Sequence, residues 1–193
     1  MKLKIQLYIL SLWLLFLLLL INKLDIPYCI DDDCKFIGFQ ELLKLNIIPV
    51  VCFIFIVAGF IFYYKFKYII SGAPGLPEQI VEIENLNWEH LTFLVTYIVP
   101  LLTFDLDFNL SVKRNGLMLI LVLIIIGMIY VKTNMFYNNP TLAILGYHIY
   151  KCSTANKKHI ILISRNNLVE EDWIKYKHIS DNIYFSQKTT KPK

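Results

Sequence analysis

Residues 46–64 read NIIPVVCFIFIVAGFIFYY, an apolar run of helical length that is followed by the basic and aromatic residues KFKY. About 20 apolar residues cross the hydrocarbon core of a bilayer as an α-helix. Three further apolar runs, at 5–21, 88–104 and 116–131, approach or meet that length, although the last two are shorter. The sequence therefore predicts an α-helical membrane protein with four transmembrane helices surrounded by membrane lipid.

The composition agrees with a membrane location. The chain has 193 residues, of which 56% are hydrophobic and 18% charged, and its mean hydropathy is +0.54. These values are too apolar for an ordinary soluble domain. The first run follows Lys2 and Lys4 as in a signal peptide, but it is long and no small-x-small cleavage site follows it, which predicts a retained helix.

The distribution of basic residues predicts the orientation. Residues 1–4, 65–90 and 132–193 hold two, two and ten lysines and arginines, and all of these share one side of a four-span arrangement. Residues 22–45 and 105–115, on the other side, hold three and two. Because cytoplasmic loops carry the excess of basic residues, both termini are predicted to face the cytoplasm.

Alternating residues predict a small cytoplasmic domain rich in β-strands. In the insert at 65–87, Glu82 and Glu84 alternate with apolar residues, and Lys175 and Lys177 do so in the segment after the last helix. Such alternation is typical of half-buried strands, and opposite charges on two strands pair across one sheet face. The predicted organisation is a transmembrane domain at 1–132 that contains this insert, followed by a β-rich domain at 133–193. The insert and this domain together hold about five short strands, one of them at 142–150, and asparagine pairs at 138–139 and 166–167 divide them.

The acidic residues that follow the third apolar run have two interpretations. Asp105 and Asp107 could line a cation entrance, but they also suit the outer end of a helix, where a charge costs little. No apolar run has a charged residue at mid-depth, which favours the second reading. Pro100 removes one backbone donor and is predicted to kink its helix.

The remaining motifs predict neither catalysis nor a cofactor. The histidines lack metal-ligand spacing, and no nucleophile elbow or phosphate loop occurs, so no catalytic, cofactor-binding or metal-binding residue is assigned. Lysines of the C-terminal part are scattered among acids, which does not favour direct binding of nucleic acid. Cys29 and Cys34 would lie in an oxidising periplasm under this topology and are the disulfide candidates.

Three stretches resemble a known family. They are NWEHLTFLVTYIVPLLTFDLD at 87–107, IGMIYVKTNMFYNNPTLAILGYHIYK at 126–151 and DNIYFSQK at 181–188, and they resemble the KwaA family, the membrane subunit of the two-gene anti-phage system Kiwa. The resemblance covers roughly residues 77–188. It implies a homo-oligomeric, four-helix protein of the bacterial inner membrane that responds to phage attack at the envelope. It also implies a cytoplasmic DNA-binding partner protein, and it carries over no catalytic residue.

Two function hypotheses follow. The first is a non-enzymatic membrane sensor and scaffold whose cytoplasmic sheet docks a partner protein. The second is an oligomeric ion channel or pore, and a membrane-embedded hydrolase is a distant third. The docking candidates are Trp173, Lys175, Tyr176 and Lys177, which are residue types that are enriched or useful at protein contacts, although Trp173 equally suits a core.

Overall fold

The computed structural model of the protein describes residues 2–25, 38–72, 75–102, 112–133 and 135–191, which form a group of helices and a β-barrel. The predicted sites at Cys29, Cys34, Asp105 and Asp107 lie outside the described residues. Within those ranges the helices are α1 (Lys2–Ser11), α2 (Trp13–Lys23), α3 (Phe39–Leu45), α4 (Ile47–Ile70), α5 (Trp88–Phe93), a π-helical segment (Leu94–Ile98), α6 (Val99–Leu102), α7 (Val112–Lys132), a 3-10 turn (Met135–Tyr137) and α8 (Pro140–Ile144).

The prediction of four transmembrane helices is wrong. Among the described residues, α4 is the one helix that by itself is long and apolar enough to cross a membrane. It has 24 residues, so it is about 36 Å long. Helices α1 and α2 pass the same test only together, and they are bent by 41° at the break at Leu12. The described chain therefore offers one span, or two if the bent pair counts as one.

The other two apolar runs form apolar helical stretches that are too short. These stretches, Trp88–Leu102 and Gly116–Lys132, each have fewer than 18 residues. The first is also interrupted by the π-helical segment, so a hydropathy average over 88–104 does not correspond to one regular helix. The second lies in α7, whose 21 residues include the mostly polar VKRN at 112–115, so the helix is longer than its apolar part.

Pro100 lies in α6, directly after the π-helical segment. A proline has no N–H, so the carbonyl four residues earlier, that of Thr96, loses its usual helical partner. Thr96 is inside the π-helical segment, where hydrogen bonds reach one residue further along the chain. The kink at Pro100 remains a prediction, and the helix is irregular in the turn that precedes it.

The predicted strands are confirmed, and they close into a barrel. The strands are β1 (Glu78–Asn85), β2 (His148–Thr154), β3 (Ile160–Ser164), β4 (Trp173–Ser180) and β5 (Ile183–Thr189). Their order around the barrel is β1-β2-β3-β5-β4, and every pair is antiparallel except β3 with β5. This is the strand order of the OB-fold, a five-stranded Greek-key barrel. The strand predicted at 142–150 begins only at His148, because its first residues belong to α8.

The predicted charge pairing between β1 and β4 is wrong. Strand β1 has a register shift between Ile80 and Glu82 and pairs with β4 only through Glu78 and Gln79. Glu84 lies opposite Lys151 on β2, and their side-chain charges are 3.6 Å apart. The charge of Glu84 is therefore paired with a residue of β2, the next strand along the chain, and not with β4.

The barrel has two apolar surfaces. Its interior is filled by side chains from all five strands, namely Ile80, Tyr150, Cys152, Ile160, Leu162, Ile174, Tyr176 and Tyr184. The outer surface of β3 and β5 is also apolar, and Ile163, Ile183 and Phe185 join the core of the helices. The barrel is therefore packed against the helices mainly through the outside of these two strands, and the later part of β4 also reaches them through Lys177 and Ile179.

Candidate functional site

The segment at 138–141, Asn-Asn-Pro-Thr, forms a polar joint between the helices and the barrel. Asn139 and Thr141 are both 0% exposed. The Asn139 side-chain oxygen accepts hydrogen bonds from the backbone N–H groups of Thr141, at 3.0 Å, and Leu142, at 3.3 Å. Asn is a favoured N-cap residue and Pro is favoured in the first helical position, so this sequence starts α8 locally.

The same two side chains bind the backbone of the first helix. Asn139 Nδ2 donates to the carbonyl oxygen of Leu7 at 3.1 Å, and Thr141 Oγ1 donates to that of Leu10 at 2.7 Å. Both carbonyls lie within the last two turns of α1, just before the break at Leu12. The start of α8 is thus fixed to the point at which the α1–α2 pair bends.

Aromatic packing continues from this joint into the barrel. Tyr147, which is fully buried, leads from α8 into β2. Its ring lies between Phe66 of α4 and Phe185 of β5, at centroid distances of 6.0 and 6.3 Å. Edge-on aromatic pairs at such distances are favourable in a core. A displacement of α4 relative to the barrel would therefore disturb this stack.

Asn87 connects α5 to β2. Its side-chain oxygen accepts from the Ile149 N–H at 2.8 Å, and its Nδ2 is 3.1 Å from Nδ1 of His148. Because Nδ2 of an asparagine can only donate, the His148 Nδ1 must accept, which assigns the proton of a neutral ring to Nε2. The polar side chain at the start of α5 is thereby held against the first residues of β2.

Charged side chains bind the helix ends to the barrel. Lys4 of α1 forms a salt bridge with Asp181 at 2.8 Å, and the hydrogen bond from Lys4 holds the pKa of the Asp181 carboxyl below its usual range. Lys177 Nζ donates to the Ile69 carbonyl at the end of α4 at 2.7 Å. A cation near a helix C-terminus is also favoured by the helix dipole. The beginning of α1 and the end of α4 are therefore on the same side, next to the barrel.

The four predicted docking residues have different surroundings. Tyr176 points into the barrel, where it is 8% exposed and donates to Glu78 Oε1 at 2.6 Å. Lys177 is used in the contact with α4. Trp173 and Lys175 are half-buried on the outer surface of β4. Of the predicted set, only these two can contact another protein without loss of a hydrogen bond within the barrel or between the barrel and α4.

A polar network closes one end of the barrel. Burial by itself would raise the pKa of Glu78, but hydrogen bonds from Tyr176, Thr154 and Asn156 and the charge of Lys157 outweigh it and hold that pKa below its ordinary value. Lys157 Nζ is 3.1 Å from the Tyr184 hydroxyl and 4.2 Å from the centre of its ring. A cation over a tyrosine face is attracted to it. This network stabilises the barrel from within.

Sequence reasoning missed the joint at 138–141. The sequence predicts that Asn138 and Asn139 divide two strands, whereas an asparagine followed by proline is also a helix-start signal. That signal would have predicted α8. The contacts of Asn139 and Thr141 with α1 join residues more than 130 positions apart, and no local pattern predicts them. Within the described ranges, no group of three or more His, Cys, Asp or Glu residues is placed to hold a metal ion.

Comparison with known proteins agrees with the resemblance and extends it. The family model described as "Anti-phage protein KwaA" matches residues 3–185. A protein named "Kiwa protein KwaA" from Escherichia coli O55:H7 (strain RM12579 / EPEC) is 35% identical over 190 residues, which cover 96% of this chain and 95% of that protein. No solved structure matches the chain. The match over nearly the whole length shows that the chain belongs to the KwaA family of anti-phage defence proteins.

Proposed function

We propose that this protein is a non-enzymatic sensor and scaffold in the bacterial inner membrane. In this proposal the helices respond to phage attack at the envelope and the barrel holds a cytoplasmic, DNA-binding partner protein of the same defence system. The observation that carries the proposal is the joint, in which Asn139 and Thr141 bind the carbonyls of α1 and start the helix that leads into the barrel. A movement of the α1–α2 pair would therefore be passed to β2.

The surface of α4 supports membrane attachment. Only 17% of its most apolar 18-residue window is buried within the protein. Ile54 and Ile61, for example, are each 60% exposed. Exposed apolar surface on this scale marks contact with a membrane or another protein. We place α4 across the bilayer, and the α1–α2 pair beside it as a bent second crossing.

The positions of the helix ends support the proposed orientation. Lys4 near the start of α1 and Ile69 at the end of α4 both contact the barrel. The barrel contains many of the basic residues that favour the cytoplasmic side. A protein with its N-terminus and its barrel on the same side of the membrane, reached by two crossings, satisfies both observations. Exposed apolar helix surface also suits a homo-oligomer, which we include in the proposal.

The coupling role is tested with Asn139→Ala and Thr141→Val, each in the full-length protein. Asn167→Ala is the matched control, since Asn167 is exposed in the loop before β4. We expect both joint variants to remain in the membrane fraction and to lose protection against phage, while the control protects normally. Full protection by a joint variant that is present at normal levels would contradict the proposal.

The scaffold role is tested with Trp173→Ala and Lys175→Ala together. Deleting the C-terminal part is unsuitable, because β1 would lose both of its partner strands. We expect the double variant to retain much less of the protein encoded by the neighbouring gene on affinity purification, whereas Lys158→Ala, at the exposed β2–β3 turn, retains all of it. Undiminished retention by the double variant would remove this surface of β4 from the proposal.

The channel alternative is tested at Asp105 and Asp107. If Asp105 and Asp107 mark only a helix end, replacing both by Asn leaves the membrane leak current unchanged. A large change in ion selectivity in reconstituted bilayers would instead support the pore. Protection by the full-length protein in cells that lack the neighbouring gene would argue for the same alternative.

A further inference from the structure

An apolar groove lies between the first helices and α4, on the side of the protein that we place in the bilayer. It is lined mainly by Trp13, Gly59, Phe60, Tyr63 and Tyr64. Gly59 allows the Trp13 ring to pack closely on α4, since a β-carbon there would lie 3.1 Å from Cδ1 of Trp13. The indole ring packs edge-on against Phe60 at 4.7 Å, which fixes one wall.

A cation is held at the tyrosine end of this groove. Arg165, in the loop after β3, donates through Nη2 to the hydroxyl of Tyr63 at 3.0 Å. Its guanidinium carbon lies 4.7 Å from the centre of the Tyr147 ring. The Arg165 side chain is otherwise exposed, and no carboxylate of the described ranges lies within salt-bridge distance of it. The guanidinium therefore gives the tyrosine end of the groove a positive charge, and an anion can approach it there.

The wall of the groove also contains an unused hydrogen-bond donor. Nε1 of Trp13 is buried and has no hydrogen-bond partner in the described part of the protein. The β-carbon position at Gly59 is 3.6 Å from this nitrogen, which places the N–H beside the groove. An indole N–H can only donate, and leaving it buried without an acceptor is unfavourable. An occupant that presents an oxygen at this point would satisfy it.

The surroundings of the groove are those of a membrane–water interface. Tyr64 and Tyr68 are exposed on α4, and Lys65 and Lys67, which lie between them in sequence, are also exposed. Aromatic residues concentrate at the level of lipid headgroups, and lysines extend their charges toward the same level. The polar end of the groove therefore coincides with the headgroup region of the leaflet next to the barrel.

We propose that this groove binds one anionic glycerophospholipid from that leaflet. Arg165 binds the phosphate, because a guanidinium matches the geometry of phosphate oxygens. The Trp13 N–H donates to an ester carbonyl, and part of one acyl chain lies in the groove against Phe60 and Tyr64. A headgroup with net negative charge is favoured over a zwitterionic one, because the cationic group of a zwitterionic headgroup would be repelled by the same guanidinium. The inference rests on the proposed membrane attachment, and it assigns that attachment a specific lipid.

The test uses the fluorescence of Trp13 in the full-length protein. Trp88→Phe and Trp173→Phe leave Trp13 as the one tryptophan of the three. The protein is reconstituted in phosphatidylcholine vesicles that contain increasing mole fractions of a lipid with brominated acyl chains. This brominated lipid is phosphatidylglycerol in one series and phosphatidylcholine in the other. Bromine quenches an adjacent indole, so we expect half-maximal quenching at about fivefold less phosphatidylglycerol, the ratio expected for one basic residue at a lipid surface.

Matched variants separate a built site from general attraction. Arg165→Gln should abolish the preference for phosphatidylglycerol, and Arg165→Lys should keep part of it because the charge remains. Lys158→Gln removes an equal charge at the opposite end of β3 and should leave the preference unchanged. An equal loss in Arg165→Gln and Lys158→Gln, or equal quenching by the two brominated lipids, would overturn the inference.

Vesicle flotation, run on the same samples, distinguishes this failure from that of the proposed function. If the protein floats with both kinds of vesicle but shows no lipid preference, only the lipid site is refuted. If it floats with neither, the membrane attachment fails and the lipid site fails with it. Flotation together with the fivefold preference and its loss in Arg165→Gln would support both.

Discussion

Replacing Asn139 by Ala tests whether the joint at 138–141 holds the helices and the barrel together. The substitution removes the N-cap of α8, which costs about 1 kcal/mol. It also leaves the buried carbonyl of Leu7 without its side-chain donor, which costs about 1–3 kcal/mol. Because the side chain is 0% exposed, water does not readily replace either bond. The free energy of unfolding should therefore fall by about 2–4 kcal/mol.

Asn139→Ser separates the two contributions. A serine retains an oxygen that caps α8, but it is too short to reach the carbonyl of Leu7 and it has no amide donor. We expect this variant to recover about 1 kcal/mol of the loss, the value of the cap. Asn167→Ala, on the exposed loop, should change the free energy of unfolding by less than about 0.5 kcal/mol.

The measurements are denaturant unfolding in detergent micelles and amide hydrogen exchange. The backbone N–H groups of Thr141 and Leu142 donate to Asn139, so their exchange should accelerate in the Ala variant and remain slow in the Ser variant. A loss below about 0.5 kcal/mol in Asn139→Ala, which is the scale of an ordinary surface substitution, would refute the reasoning. Equal losses in the Ala and Ser variants would show that the cap contributes nothing.

Three further predictions concern the barrel and the first loop. Lys177→Ala should lower the free energy of unfolding by about 1 kcal/mol because Lys177 binds the Ile69 carbonyl. Lys175→Ala should change it by less than about 0.5 kcal/mol. Equal effects of the two substitutions in thermal unfolding would contradict this prediction. Folding lowers the pKa of Glu78. The stability that its charge provides is therefore complete above the ordinary glutamate pKa of about 4.3. This stability is lost as the pH falls through the lower pKa of the folded protein. Glu78→Gln should remove this part of the pH dependence, and an unchanged pH profile in that variant would count against it. Cys29 and Cys34 should be linked in protein isolated without reductant, and mass spectrometry that finds both thiols free would exclude the bridge.

The strands could be predicted from the sequence because each obeys a local rule. In β4, Ile174 and Tyr176 alternate with Lys175 and Lys177, and the structure turns the first two inward and the others outward. This alternation places Tyr176 on the same face as Ile174, which is the buried face. The pattern that predicts the strand therefore conflicts with the prediction of Tyr176 as a docking residue. Register was not predictable, because the shift between Ile80 and Glu82 moves the acids of β1 away from β4.

The number of helices able to cross a membrane could not be predicted from hydropathy alone. Hydropathy is an average over a stretch of sequence, whereas a helix is a continuous hydrogen-bonded structure. The break at Leu12 falls within apolar sequence, and Pro100 marks an irregularity near the π-helical segment Leu94–Ile98 without specifying its form. The carbonyls just before the break at Leu12 have partners that are distant in sequence. The carbonyls of Leu7 and Leu10 bind Asn139 and Thr141, and these donors are known only from the folded structure.

The arrangement of the contacts determines how a signal would travel through this protein. If α1 slid along α4 without α8, the donors of Asn139 and Thr141 would be left buried and unpaired, which is costly. Less free energy is required if α8 and the end of α1 move together as one rigid body. Tyr147, three residues after α8 ends, then transmits the displacement to Phe66 and Phe185. The barrel remains closed during such a movement, because its interior is filled separately from the core that it shares with the helices. We therefore expect activation to change the position of the barrel relative to α4 while its internal structure is unchanged. A distance measured between spin labels on Lys158 and Tyr68 should change on phage attack, and one between labels on Lys158 and Lys175, both within the barrel, should not.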